Sequence, residues 1–115
     1  AGAAALRGRL YVCGGFDGTG YLAECVRFCP VQRTWEALPP MSQRRSHLVA
    51  AAWRGRLCVC GGKGDTTLRL NSVESLAVCE AGAAWEPLAP LAHPRSQAAG
   101  AVVAGALHVC GGFDG

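Results

Sequence analysis

Gly8-Arg9-Leu10-Tyr11-Val12-Cys13-Gly14-Gly15 returns as Gly55-Arg56-Leu57-Cys58-Val59-Cys60-Gly61-Gly62 and again as Gly105-Ala106-Leu107-His108-Val109-Cys110-Gly111-Gly112. Each copy is a short apolar run closed by paired glycines, and the pairs stand 47 and then 50 residues apart. A fixed interval of this size is the mark of a repeat array. Other landmarks keep the register: Trp35 and Trp85, Pro40 and Pro90, and Arg45-Ser46 and Arg95-Ser96 are each 50 residues apart. Agreement among such unlike landmarks identifies a repeated unit, and the chain reads as an array cut in mid-period.

Within one period, four β-like pieces alternate with turn residues, and no stretch holds the three-to-four spacing of an amphipathic helix. In the central unit they span Ser46 to Trp53, Arg56 to Gly61, Asn71 to Cys79 and Trp85 to Leu88. Arg54-Gly55 joins the first two as a hairpin, and a glycine-containing loop opening Gly62-Lys63-Gly64-Asp65 joins the next two. The prolines at 87 and 90 end the fourth, because they lack amide donors. Along the second strand, Leu57 and Val59 face one way and Cys58 and Cys60 the other. Both sets are apolar, as a sheet sandwiched between sheets requires. Four antiparallel strands per fifty residues describe a blade of a β-propeller, so the expected class is all-β. The expected units are a partial blade over 1–45 (strands two to four), a complete blade over 46–95 and a partial blade over 96–115 (strands one and two).

Composition agrees. Of 115 residues, 50% are hydrophobic and 17% charged, which excludes disorder, and the 16 glycines lack the three-residue period of collagen. The net charge of +3 is scattered apart from Arg44-Arg45, so no basic stripe invites nucleic acid. Ala98 to Leu107, the longest uncharged apolar run, is too short to span a bilayer. The first residues, lacking an initiating Met and a charged region, read as the interior of a longer chain. Seven cysteines, an odd number with several inside β-like runs, fit reduced thiols in a cytoplasmic protein better than a disulfide scaffold.

Taken in order, the landmarks resemble the kelch repeat. They are a strand ending in Gly-Gly, the turn Phe16-Asp17-Gly18 and its copy Phe113-Asp114-Gly115, then Asn71-Ser72-Val73-Glu74, a Trp opening the fourth strand, and the linker Pro40-Met41-Ser42-Gln43-Arg44-Arg45-Ser46. The linker is especially similar to the kelch-like proteins, which join a propeller to a BTB domain and bring substrates to cullin-RING ubiquitin ligases. The chain departs from the pattern where Val26 replaces Glu, Phe28 and Leu76 replace Tyr, and Lys63-Gly64-Asp65 replaces the aromatic turn.

The glycine pairs Gly14-Gly15, Gly61-Gly62 and Gly111-Gly112 are expected to be structural, since no phosphate-loop Lys or helix follows them. Trp35 and Trp85 are expected to pack between adjacent blades, and the resemblance gives Glu74 a structural role as well. Cys58-x-Cys60 and Cys25-x-x-x-Cys29 suggest metal ligands. However, Cys13, Cys60 and Cys110 share one strand position and so belong to different blades, and no metal or other cofactor is expected. The three histidines share no register with a nucleophile, so no catalytic residue is assigned. Arg45 and Arg95 sit in the linkers between blades. They either bridge blades through carbonyls or pair with acidic groups of a partner, and the two roles are compatible. The resemblance implies that this loop end and the residue after each Gly-Gly form the partner surface. The expected partner-binding residues are therefore Arg45, Arg95, Phe16, Lys63 and Phe113.

The expected function is non-catalytic protein binding, as the substrate-recognition part of a BTB-kelch adaptor that reaches cullin only through a BTB domain absent from this sequence. An actin-binding cytoskeletal role is the alternative, and a copper-oxidase type of propeller the third.

Overall fold

The computed structural model describes residues 1–64, 69–80 and 82–112, with only the backbone described at 103. These residues form ten strands and no helix, so none is long and apolar enough to cross a membrane. The strands are β1 (Gly2–Leu6), β2 (Arg9–Cys13), β3 (Cys25–Cys29), β4 (Thr34–Leu38), β5 (Val49–Trp53), β6 (Arg56–Cys60), β7 (Val73–Leu76), β8 (Glu86–Leu88), β9 (Ala99–Val103) and β10 (Ala106–Cys110). They make a four-stranded antiparallel sheet β1-β2-β3-β4, a second one β5-β6-β7-β8, and the hairpin β9-β10. The second sheet realises the four pieces of the central unit. Its first strand begins three residues late, because His47 takes a positive φ of 53° and turns the chain out of the linker.

The register Leu6↔Arg9, Trp53↔Arg56 and Val103↔Ala106 leaves two residues in each opening turn. Both are left-handed in every copy: Arg7-Gly8 at φ 52° and 76°, Arg54-Gly55 at 52° and 71°, and Ala104-Gly105 at 51° and 76°. Such turns match the natural twist of a hairpin, and they require a positive φ at both positions.

The expected strand content of the first unit is corrected. The first unit has four strands, not the last three, because Gly2–Leu6 pairs along the whole of β2. An alanine run has little β propensity, so the strand is hidden in composition. Packing explains its residues: β1, β5 and β9 lie side by side at the narrow end of the fan. There a Cβ on Gly2 would stand 3.0 Å from the Ala50 Cβ, and one on Gly100 would collide with Val49. Small residues are what the crowded edge admits.

The layers stack as β6 predicts. Leu57 and Val59 join Tyr11, Cys13, Cys25, Met41, Leu48, Leu76 and Val78 in a core between the two sheets. Cys58 and Cys60 turn the other way, joining Val49 and Val73 in a core that faces the β9-β10 hairpin through Leu107 and Val109. Full burial of side chains such as Leu57 and Leu76 contributes roughly 1.5–3 kcal/mol each. A fan of four-stranded sheets packed face to face is the arrangement of propeller blades.

Candidate functional site

The β2–β3 loop (residues 14–24), its counterpart between β6 and β7, and the linkers that follow β4 and β8 gather at one end of the sheets. Backbone bonds tie each linker to the glycine pair of the sheet it leaves. The Gly15 amide donates to the Arg45 carbonyl at 2.7 Å, and the Gly62 amide to that of Arg95 at 2.6 Å. Gly14 has φ 68°, and a Cβ there would overlap the Arg45 carbonyl, so the structural expectation for this pair rests on a specific contact.

Arg45 then reaches forward into the next sheet. Its Nη1 donates to the carbonyls of Gly61 and Ser72, at 2.9 and 3.1 Å. Its Nη2 donates to the Ser72 hydroxyl at 2.7 Å and to Glu74 Oε2 at 2.9 Å. Glu74 also accepts from the Ser42 amide at 3.0 Å and the Ser42 hydroxyl at 2.6 Å. Arg45 is fully enclosed, with 0% exposure, and Glu74 is 3% exposed. The expectation that Arg45 contacts a partner is therefore corrected: its two Nη groups bond chiefly to the second sheet, its Nε is buried without a hydrogen-bond partner among the described residues, and no face of it meets solvent. Of its two expected roles, bridging is the one present. Arg95 repeats the first of these bonds, with Nη1 donating to the Gly111 carbonyl at 2.8 Å, and it is half-buried.

At this end Phe16 is exposed, with Tyr21 and Lys63 half-buried beside it. Phe16 is 59% exposed and leans on Tyr21, with ring centroids 5.3 Å apart. Lys63, from the neighbouring sheet's loop, places Nζ 5.8 Å from the Tyr21 ring centre. Phe16, Tyr21 and Lys63 thus form one patch across two loops. Its shape is held locally: Lys63 bridges to Ser46 and Arg69, and Asp17 caps the turn beside Phe16. The Asp17 carboxylate accepts from the amides of Thr19 and Gly20 at 2.9 and 3.0 Å and from the Thr19 hydroxyl at 2.8 Å. Those bonds, the Thr19 amide first, hold its carboxyl below the ordinary value of 3.8. Tyr21 was not legible as a site residue, since it lies in no repeated register; only the loop's folding back brings it to Phe16. Phe113 and the turn Asp114-Gly115 lie outside the described residues, as does Asp65.

The tryptophans divide. Trp85 packs against the core between the sheets and donates Nε1 to the Pro39 carbonyl at 2.8 Å, as a side chain between sheets should. Trp35 does not: it is 55% exposed and tilts over Phe28 within its own sheet, with centroids 5.0 Å apart. Its own position in β4 faces away from the second sheet, which explains the difference. Trp53, which no repeat singles out, donates Nε1 to the Gly105 carbonyl at 2.9 Å and lines a cavity of about 480 Å³ beside the β9-β10 hairpin. Among the described residues, no three His, Cys, Asp or Glu side chains converge as a metal site would need.

The family model described as Kelch motif matches residues 1–42. The matched span carries β1 to β4, the first glycine pair, the Phe16 loop and the linker as far as Ser42.

Proposed function

We propose that this chain, a kelch-repeat protein by that match and by the recurrence of the same sheet, is a non-catalytic module that binds a protein partner through its loop end. Kelch repeats commonly mediate protein–protein binding, and the patch of Phe16, Tyr21 and Lys63 carries the reading. An exposed aromatic supplies large contact area at low entropic cost, and a lysine beside it selects for acidic groups. Phe16 and Lys63 each follow a glycine pair that backbone bonds anchor to the sheets, which suits recognition by a preformed surface. The finer role is substrate recognition in a BTB-kelch adaptor of a cullin-RING ubiquitin ligase. It requires a BTB domain in the same polypeptide.

Affinity purification of the full-length protein from cells tests both levels. Phe16→Ala combined with Lys63→Glu should deplete the bound partners at least several-fold while leaving cullin and the melting temperature unchanged. A partner profile indifferent to the double variant overturns the binding surface. Absence of cullin alongside retained partners overturns only the adaptor role.

A further inference from the structure

Cys13 and Cys25 end β2 and begin β3, and the register places them directly opposite each other. The next pair outward is joined by the Gly14 amide donating to the Glu24 carbonyl at 2.9 Å. Hydrogen-bonded and non-bonded pairs alternate along an antiparallel ladder, so Cys13 and Cys25 occupy the non-bonded kind, with Cα atoms about 4.5 Å apart. That separation lies at the near end of the range a disulfide spans, about 4.4–6.8 Å. Both side chains point into the core between the sheets and are almost completely buried. The Cys25 thiol is pushed well above its ordinary value, first by its hydrogen bond to the Cys13 thiol and then by burial, which is what two sulfurs in contact produce.

No other strand pairing among the described residues sets two cysteines face to face. At the same place in the second sheet, Cys60 meets Val73, while Cys58 meets Ser75 and Cys29 meets Thr34. The facing pair is therefore a property of the first unit and not of the repeat. Its position is functional in kind: these two residues are the two ends of the 14–24 loop, which carries Phe16 and Tyr21.

We propose that Cys13 and Cys25 form a redox-dependent cross-strand disulfide that staples the base of the Phe16 loop. The oxidant is a small disulfide of the glutathione class. One cysteine thiolate attacks it, releasing one small thiol and leaving a mixed disulfide. The facing cysteine then displaces the second small thiol as the protein S–S bond forms. The two protein thiols lose two electrons and two protons, and the small disulfide takes them up as two thiols. Because both sulfurs are enclosed, the first exchange waits on local opening of the sheet end, so the bond forms slowly and, once formed, is shielded. Closing the loop removes freedom from its open states and favours the arrangement that presents Phe16. The effect on partner binding rests on the function proposed above, whereas formation of the bond does not.

The test uses the full chain equilibrated with oxidised or reduced glutathione, then denatured, alkylated and digested. Trypsin releases Leu10 to Arg27 with both cysteines, and a further cut after Glu24 separates them. After oxidation, the expected result is loss of alkylation at both and two halves that stay joined until reduced, with Cys58 and Cys60 still alkylated. Alkylation of both residues, or either one joined to a different cysteine, overturns the proposal. Amide exchange supplies an independent readout: residues 15–22 should exchange several-fold more slowly in the oxidised form. Unchanged rates overturn the staple even where the bond forms. Since neither readout involves a partner, failure of the proposed binding function leaves both results intact.

Discussion

At the scale of single residues, the strongest constraint is Glu74, whose buried carboxylate is shared between Ser42 and the buried Arg45. Glu74→Ala should lower stability by about 3–5 kcal/mol, because an unpaired buried guanidinium costs far more than the pair contributes. Urea unfolding of the full chain measures it, and a loss under 1 kcal/mol would show that the Gly61 and Ser72 oxygens suffice to hold Arg45. Here the sequence was half legible. The recurrence of Arg45 and Arg95 pointed to an important position, but choosing between bridging and partner contact depends on what covers the side chain. Burial follows from the stacking of two sheets and the reach of Ser72, neither of which a linear pattern encodes. Lys63 and Phe16 could be read from their place after the glycine pairs, whereas Tyr21 enters only through the fold of its loop.

At the scale of elements, the three opening turns carry a non-glycine residue at a left-handed φ, and the exposed Ala104 has no polar side-chain group to bond the local backbone. Ala104→Asn should raise stability by about 0.5–1 kcal/mol, since asparagine tolerates that conformation and favours this turn. A thermal melt reads it, and no upward shift would show that the turn is not limiting. Strand β6 makes a second prediction. Burial pushes the Cys58 thiol up to about 12 and Cys60 to about 11 from an ordinary 9.0. The unfolded chain therefore ionises first. The contribution of these thiols is whole below pH 9 and falls away as pH rises towards 11–12. The urea midpoint should drop between neutral pH and about pH 10, and less in a Cys58→Ala, Cys60→Ala double variant; equal drops would refute this. Strands of this kind were readable because their alternation and turn glycines are strong local signals. β1 escaped because its defining property is smallness at a crowded edge, which resembles no strand by propensity.

At the scale of the molecule, sheets depend on their neighbours for cover. Among the described residues, β10 pairs only with β9, and the cavity lined by Trp53, Leu88 and Leu107 lies open beside it. Unpaired edges and open apolar surface promote association between chains. The 115-residue chain should form concentration-dependent oligomers in sedimentation experiments. A monomer at every concentration, melting in one sharp transition, would contradict this. The periodicity made the architecture legible at this scale, because one register repeated through unlike landmarks constrains topology more tightly than any single strand does.

The linker arginine also fixes where such a protein can be cut and rejoined. Its main chain answers to the glycine amide of the sheet behind, a demand any sequence can meet, while its guanidinium and the nearby Ser42 answer to the particular carboxylate and hydroxyl ahead. The modular boundary therefore falls upstream of Ser42, not at the start of the following strand. A chimera spliced there inherits a matched lock and key, and one spliced ten residues later strands a charge in oil.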